Sequence, residues 1–184
     1  MLFRSAHARI APYVHRTPLL TSATLDEAAG ARLCFKAENL QKVGAFKARG
    51  ATNAVLSLSD AEAARGVVTH SSGNHAAALA RAAGIRGIPA HIVMPSNAPV
   101  TKIESVRRYG GRVILCEPTL AARESTAAAV MAETGATFVH PYDDPRVIAG
   151  QGTAALELLE QAAELGIGPL DLVLVPIGGG GLDR

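Results

Sequence analysis

Short runs of β-branched residues alternate with alanine-rich stretches along most of this 184-residue chain, and that alternation limits the fold more than any other feature. Such an order forms β-α-β units, in which neighbouring strands are parallel and helices cover the sheet. Strands are predicted at 67–70, 90–94, 112–116, 136–140 and 170–177. Helices are predicted at 74–83, from Pro99 to Tyr109, at 120–134, and from Asp143 to Leu165 with a break near Gly150 and Gly152.

The pattern predicts an α/β fold of three layers, in which doubly wound parallel sheets lie between helices. The run 170–177 is almost entirely apolar, which is typical of a strand buried on both faces. In such sheets, ligands bind beyond the carboxyl ends of the strands, where the chain turns into the next helix. The candidate site is therefore expected in the turns after 67–70 and 170–177.

The composition excludes several classes of protein. Hydrophobic residues make up 48% of the chain and the net charge is only +2, so the chain is not expected to be disordered. Lysine and arginine (18) nearly balance aspartate and glutamate (16) without a basic run, which argues against nucleic-acid binding. No apolar run approaches the roughly 20 residues of a membrane span, and the amino terminus has no apolar signal segment.

The cysteines and histidines give no sign of a metal site or a disulfide framework. Cys34 and Cys116 are the two cysteines, and they lie too far apart in sequence to form a CxxC pair. No histidine stands at zinc-ligand spacing, so no metal is predicted. Free thiols are typical of a reducing compartment, and a cytoplasmic protein is expected.

The turn after strand 67–70 carries small polar residues, Ser71 to His75, directly before an alanine-rich helix. The amides in the first turn of a helix have no partner within it and attract an anion. The hydroxyls of Ser71 and Ser72 and the amide of Asn74 add donors, so a carboxylate or a phosphate would be held there. An ordinary N-cap by the Asn side chain explains the turn equally well.

A run of four glycines, Gly178, Gly179, Gly180 and Gly181, follows the predicted strand 170–177. Successive glycines let backbone N–H groups curl around one anion, usually a phosphate. A flexible glycine tail is the alternative, and the apolar strand before the run makes it the weaker one. The run matches the dinucleotide fingerprint poorly, because no helix with an acidic residue about twenty positions on follows it.

Lys47 stands beside Phe46, where the chain passes from Gly44 into a predicted helix. A lysine near a phosphate site and a helix N-terminus is a candidate for a lowered pKa, and an unprotonated amine attacks carbonyl groups. Taken singly, a solvated surface lysine is the simpler interpretation. Lys36 and Lys42 compete for the role of the reactive amine but lack this context.

Five motifs in one order resemble those of a known family. The chain resembles the fold-type II pyridoxal-phosphate-dependent enzymes (tryptophan synthase beta-like family), in the serine/threonine dehydratase and serine racemase branch. The resemblance covers essentially the whole chain, and several ordered motifs together are far more specific than any one of them. The motifs are 16–19 (RTPL), 44–51 (GAFKARGA), 71–75 (SSGNH), 150–153 (GQGT) and 178–182 (GGGGL).

The resemblance implies a role for each motif residue. Lys47 would carry the cofactor, pyridoxal 5'-phosphate, covalently and act as a base on one face of the substrate. Phe46 would flank the cofactor ring, and Asn74 would bond its 3' oxygen. The cofactor phosphate would be held by the backbone amides of Gly178, Gly179, Gly180 and Gly181. The substrate carboxylate would be held by Ser71, Ser72, Gly73, Asn74 and His75.

The resemblance also implies a reaction, with alternatives. A serine/threonine ammonia-lyase (dehydratase) converts a β-hydroxy amino acid to a 2-keto acid and ammonia. Ser72 matches the position that serves as acid and base on the second face in serine racemases, where many dehydratases carry alanine, so racemisation stays open. Its other interpretation is a hydroxyl that only binds the carboxylate. A small β-hydroxy amino acid is the expected partner, and a homodimer is compatible with the family.

The family implies two domains, of which the larger one is incomplete here. Residues 1–67 plus 142–184 would form the larger, cofactor-binding domain, and residues 68–141 the smaller, mobile one. Family members continue past the glycine run with further strands and helices, so the chain is expected to be truncated at its carboxyl end. A non-catalytic truncated remnant of such an enzyme is therefore a second interpretation of these residues.

Overall fold

The computed structural model describes residues 2–182, so Met1, Asp183 and Arg184 of the predicted larger domain lie outside the described residues. Within that range the chain forms α-helices, β-strands and short 3-10 turns at 11–13, 38–40 and 42–44. The helices are α1 (Leu2–Ile10), α2 (Ala23–Ala29), α3 (Lys47–Leu56), α4 (Asp60–Arg65), α5 (Asn74–Arg86), α6 (Val100–Arg108), α7 (Leu120–Thr134), α8 (Pro145–Gln151) and α9 (Thr153–Glu164). The strands are β1 (Leu19–Leu20), β2 (Phe35–Lys36), β3 (Val67–His70), β4 (Ala90–Pro95), β5 (Arg112–Cys116) and β6 (Thr137–Phe138).

Four of the strands form one parallel sheet in the order β5-β4-β3-β6. Val67 of β3 lies beside Ala90 of β4 on one side and beside Thr137 of β6 on the other. The β4–β5 ladder starts at the pair His91 and Arg112. The predicted parallel sheet is therefore confirmed, with β6 shorter than the run 136–140 suggested.

Successive residues of the two central strands face opposite sides of the sheet, as the pleat requires. Val67 and Ile92 belong to the larger apolar cluster, which α3, α5 and α6 complete. Val68 and Val93 belong to a second cluster on the other face, where α7 packs. Helices thus cover both faces, and the predicted doubly wound α/β fold is confirmed.

A second, small sheet was not anticipated from the sequence. The strands β1 and β2 pair antiparallel, with Leu19 opposite Lys36. Both strands have only two residues, too short for a periodic pattern to be visible. The assignment of residues 68–141 to a separate mobile domain stays a prediction.

Helix α5 begins at Asn74 as expected but runs past Ala83 to Arg86. The residue that ends it is Gly87, which takes a left-handed φ of 69° and donates its N–H to the carbonyls of Ala83 and Gly84. Gly84 lies inside the helix. Two glycines three positions apart are equivalent in a sequence, and only their backbone angles reveal which one is the cap.

The break predicted near Gly150 and Gly152 is confirmed, because α8 ends at Gln151 and α9 begins at Thr153. Asp144 caps α8 by accepting a hydrogen bond from the Arg146 N–H at 2.8 Å. This is the helix start that an Asp followed by Pro indicates.

Helices α3 and α8 cross with their backbones in contact. A Cβ atom on Gly150 would lie 2.6 Å from the Arg49 carbonyl oxygen and 2.7 Å from the Gly50 Cα, closer than atoms approach without displacement. A glycine is therefore required at the crossing. The contact ties the start of α3 to the end of α8, and both ends later prove to lie at the site.

The segment 170–177 forms no strand, so that prediction is wrong. Its large apolar side chains are exposed: Leu172 by 73%, Leu174 by 82% and Ile177 by 71%. A strand exists only where a neighbour takes its backbone hydrogen bonds, and within residues 2–182 no strand lies beside this segment. An apolar run in a sequence indicates that a segment can form a buried strand. Whether the strand forms depends on a neighbouring strand that pairs with it.

Candidate active site

Lys47 is the first residue of α3, and Phe46 occupies the position before the helix. The Lys47 Nζ donates a hydrogen bond to the carbonyl oxygen of Pro141 at 2.7 Å and lies 5.1 Å from the centre of the Phe46 ring. Burial lowers the pKa of the Lys47 amine below its ordinary range. A larger fraction of this amine is therefore unprotonated at neutral pH, and unprotonated lysine is the nucleophilic form.

The competing Lys36 is engaged elsewhere. Its Nζ donates to Glu157 Oε2 at 2.7 Å, to Gln161 Oε1 at 2.7 Å and to the Thr17 carbonyl oxygen at 2.8 Å. All three protons of the ammonium group thus have acceptors, one of them a carboxylate. Burial lowers the pKa of the Lys36 amine as well, against the opposing hydrogen bond with Glu157. The three hydrogen bonds nevertheless fix this amine in place, and this argues against a role as a nucleophile.

A buried ion cluster holds the first turn of α3. We give that name to Lys36, Glu38, Arg49 and Glu157. Arg49 is fully buried; it donates Nε and Nη2 to Glu38 at 2.8 and 2.7 Å, and Nη1 and Nη2 to Glu157 at 2.7 Å each. Two cations and two anions balance, as buried charges must. The cluster joins β2, the 38–40 turn and α9 to the turn of α3 that contains Lys47.

The 71–75 turn has two polar side chains, those of Ser72 and Asn74, without a hydrogen bond in the described part of the chain. The Ser71 N–H still bonds the Val93 carbonyl at 3.1 Å, and its Oγ accepts from the Gly73 N–H at 3.3 Å. Gly73, rather than Asn74, is the N-cap. The N-cap interpretation of Asn74 is therefore wrong, and no side chain caps the first turn of α5.

His75 lies in the same turn, but its side chain points into the protein interior. The ring is buried, with Nε2 3.3 Å from the Val139 carbonyl oxygen, and Nδ1 has no hydrogen-bond partner. Burial, followed by the nearby positive charge of Lys47, lowers the pKa of His75 to about 3. The imidazole is neutral and donates from Nε2. Any contact of His75 with a substrate would therefore come from its backbone N–H.

The glycine run is exposed at its amino end and buried at its carboxyl end. Gly178 is exposed with open space around its Cα, whereas Gly181 is buried. The Gly181 carbonyl accepts a hydrogen bond from Gln151 Nε2 at 2.5 Å. Gly180 adopts a left-handed φ of 77°. The run thus has the curved, side-chain-free backbone that anion cradles use.

The segment 139–142 contacts both the 71–75 turn and Lys47. The Val139 carbonyl accepts from His75, and the Pro141 carbonyl accepts from Lys47. The segment that follows β6 therefore contacts both Lys47 at the start of α3 and His75 at the start of α5.

The next residue of that segment extends the site to the glycine run. The ring of Tyr142 packs against Gly179, and Gln151 bonds the same run. The sequence alone indicates no role for Pro141, Tyr142 or Gln151. A backbone carbonyl that accepts a hydrogen bond leaves no mark in a sequence, and a single exposed tyrosine is uninformative. Gln151 did stand in one of the ordered motifs, which was the available signal.

Two negative findings apply to residues 2–182 only. In that range no three His, Cys, Asp or Glu side chains are grouped closely enough to bind a metal ion. No helix in the same range combines the length and the apolar character needed to cross a lipid bilayer.

The sequence was compared with protein families and curated proteins. A family described as "Pyridoxal-phosphate dependent enzyme" matches residues 10–182. The chain is 60% identical over 178 residues to a beta-hydroxyaspartate dehydratase of Paracoccus denitrificans, covering 97% of this chain and 55% of that protein. It is 59% identical over 179 residues to a serine racemase of Arabidopsis thaliana, covering 97% of this chain and 53% of the relative.

Solved structures give the same result. The fold matches the structure of maize serine racemase with a TM-score of 0.94 and 53% identity, covering 99% of this chain and 54% of the other. The chain thus spans about half the length of the proteins that it matches.

Proposed function

Because the chain belongs to the family of pyridoxal-phosphate-dependent enzymes, we propose that it supplies the reactive lysine and the phosphate-binding loop of an ammonia-lyase. The reaction converts a β-hydroxy amino acid to a 2-keto acid and ammonia. One observation carries the proposal most directly: the half-buried amine of Lys47 lies 2.7 Å from the Pro141 carbonyl, at the sheet edge where the 71–75 turn begins α5.

The residues present fit the cofactor. An aldehyde reacts with an unprotonated amine, and the pKa of Lys47 is lowered by burial. A phosphate needs several backbone donors, which the curved run 178–181 offers. Asn74 has a free side-chain amide, which agrees with the proposed bond to the 3' oxygen of the ring. Phe46 places an aromatic face beside the Lys47 amine.

When bound, pyridoxal phosphate supplies an electron sink for the electron pair left at the substrate Cα. The chain itself supplies position and proton transfer. The open amides at the start of α5 hold the substrate carboxylate, because the first turn of a helix favours an anion. Lys47 Nζ removes the α-proton from one face, and burial, which lowers the pKa of this amine, favours the unprotonated form that a base requires.

The substrate proposed is a small β-hydroxy amino acid. The 60% identity to a beta-hydroxyaspartate dehydratase supports a hydroxyaspartate-type substrate, beside serine and threonine. Three further predictions belong to the proposal: residues 68–141 form the smaller domain, the protein acts in the cytoplasm, and it assembles as a homodimer. Cys34 and Cys116 are both free thiols, which supports a reducing compartment.

The first test is chemical trapping. The purified chain is mixed with pyridoxal phosphate, reduced with borohydride and mapped by peptide mass spectrometry. We expect one modified peptide, with the label on Lys47. Release of ammonia and 2-keto acid is then followed with serine, threonine and β-hydroxyaspartate in turn.

The outcomes separate the two interpretations of the chain. Label on Lys47 with turnover supports the ammonia-lyase. Label on Lys47 without turnover of any substrate supports a remnant that binds the cofactor and does not react further. Labelling spread over many lysines, or none at Lys47, contradicts the proposed site.

Racemisation is the second candidate function, and Ser72 is the observation that favours it. Its hydroxyl makes no hydrogen bond within residues 2–182, so it is free to carry a proton to the face opposite Lys47. The 59% identity to a serine racemase agrees with this role. The alternative is a hydroxyl that only binds the carboxylate.

Replacing Ser72 with alanine separates these roles. If Ser72 is the second-face acid, Ser72→Ala lowers D-serine formation by roughly 10²-fold or more, the usual contribution of a general acid, while ammonia release persists. D-serine and pyruvate are measured in the same sample, with Ser125→Ala on the exposed face of α7 as the control. Equal losses of both products would show that Ser72 only binds substrate.

A further inference from the structure

Gln151 is a buried residue for which the proposed reaction has no use. It is the last residue of α8, and none of its side chain is exposed. Nε2 donates to the Gly181 carbonyl, whereas Oε1 is buried without a hydrogen-bond partner. A half-satisfied buried amide lowers stability, so the presence of Gln151 against the glycine run calls for an explanation.

Tyr142 makes the second contact with the same loop. A Cβ atom on Gly179 would overlap the Tyr142 ring. A Cβ atom on Gly181 would lie 2.8 Å from Gln151 Nε2 and 2.9 Å from the Tyr142 Cα. The backbone of the run is therefore fitted against these two side chains, and its curvature depends on them.

The position of Gln151 relative to Lys47 is also fixed. Its neighbour Gly150 contacts Arg49 and Gly50 of α3 directly, so the end of α8 cannot move independently of the start of α3. The glycine run and the Lys47 amine are thereby fixed relative to each other. Since a phosphate oxygen only accepts hydrogen bonds, Gln151 Oε1 cannot bond it, and Nε2 is already engaged by the Gly181 carbonyl. Gln151 therefore acts on the loop and not on the phosphate directly.

We infer that Gln151 and Tyr142 are positioning residues that hold the run 178–181 in the curve that accepts a phosphate, and so set the preference for the phosphorylated form of the cofactor. The inference rests on the proposed function, because it takes Lys47 as the residue that reacts with the cofactor aldehyde. Pyridoxal, which lacks the phosphate, reacts with the same amine and does not need the loop.

The experiment compares the two aldehydes. Pyridoxal phosphate and pyridoxal are each titrated into the protein, and binding is read from the absorbance of the imine. The result is the dissociation constant of pyridoxal divided by that of pyridoxal phosphate, so a larger ratio means a stronger preference for the phosphorylated form. Gln151→Leu is expected to reduce the preference for pyridoxal phosphate about tenfold, as loss of a buried hydrogen bond would. Binding of pyridoxal itself is expected to change by less than about twofold, because the variant does not touch Lys47.

Gln161→Leu is the matched control. Gln161 is also buried, and its Nε2 also donates to a backbone carbonyl, that of Thr17 at 2.9 Å. It lies on α9, and its hydrogen bonds are with Thr17 and Lys36, not with the glycine run. Its removal affects both aldehydes alike, so the ratio stays at the wild-type value.

A second variant covers the case in which Gln151→Leu fails to fold. Tyr142 is exposed by 39%, so Tyr142→Leu leaves the core intact and is expected to lower the ratio in the same direction. An unchanged ratio in every folded variant would refute the inference. A wild-type protein in which Lys47 reacts with neither aldehyde would refute the proposed function instead, so the two failures are distinguishable.

Discussion

Replacing Lys47 with alanine is expected to abolish the covalent capture of pyridoxal phosphate and to lower ammonia release by roughly 10³-fold or more, within the range for loss of a positioned base. The variant removes both the amine that bonds the cofactor and the base on one substrate face. Folding is expected to survive, because alanine is a good helix former at the start of α3. Borohydride trapping and an ammonia assay measure the two effects separately.

Lys42→Ala is the matched control for that variant. Lys42 lies in the 42–44 turn just before α3 and is partly exposed. Its removal should leave trapping at Lys47 and ammonia release at their wild-type levels. If Lys47→Ala retained turnover, or if Lys42→Ala lost it, the assignment of the reactive amine would be wrong.

Replacing Arg49 with methionine is expected to lower the free energy of unfolding by about 3–5 kcal/mol, the usual loss when one partner of a buried ion pair is removed. The variant leaves the carboxylates of Glu38 and Glu157 with Lys36 as their one remaining cation in the cluster. Urea denaturation followed by circular dichroism measures the change. Methionine fills a similar volume, so the variant removes the charge and the hydrogen bonds without leaving a large cavity.

Arg86→Met, at the last residue of α5, is the comparison. Arg86 donates Nη1 to the Val55 and Leu58 carbonyls, and its ion pair with Asp60 is with a fully exposed carboxylate. Loss of these bonds should cost about 1–2 kcal/mol. Equal losses in the two arginine variants would show that the buried cluster contributes no more than ordinary hydrogen bonds do.

The cluster also gives the stability a pH dependence with a definite sign. Burial alone would raise the pKa of Glu157, but hydrogen bonds from Arg49 and Lys36 outweigh it, and the pKa is lowered. The unfolded state then binds a proton at a higher pH than the folded state does. The stabilisation is complete above the unfolded pKa of about 4.3 and is lost as the pH falls through the lower folded value. Arg49→Met should weaken this acid dependence.

Local sequence signals were sufficient for the parallel sheet and for most helix boundaries. Strand β3, strand β5 and helix α7 have the predicted bounds, because β-branched runs and capping residues act over a few residues. The glycine run and the turn at Ser71 were identified for the same reason, since loop chemistry is carried by neighbouring residues.

The contacts that assemble the site could not be predicted, because they join residues far apart in the chain. The Pro141 carbonyl meets Lys47 across 94 positions, and Arg49 meets Glu157 across 108. Neither pairing follows from a periodic pattern. The segment 170–177 was misjudged for a related reason, because a strand depends on a neighbour as well as on its own residues.

That exposed segment has a practical consequence for any sample of these 184 residues. Exposed apolar side chains associate with those of other copies as concentration rises. Light scattering on the free chain would therefore report nonspecific self-association through residues 172–177 in addition to any specific subunit contact. An oligomeric state becomes interpretable only when it is independent of protein concentration and persists after a charge, such as Leu174→Lys, has been placed in the segment.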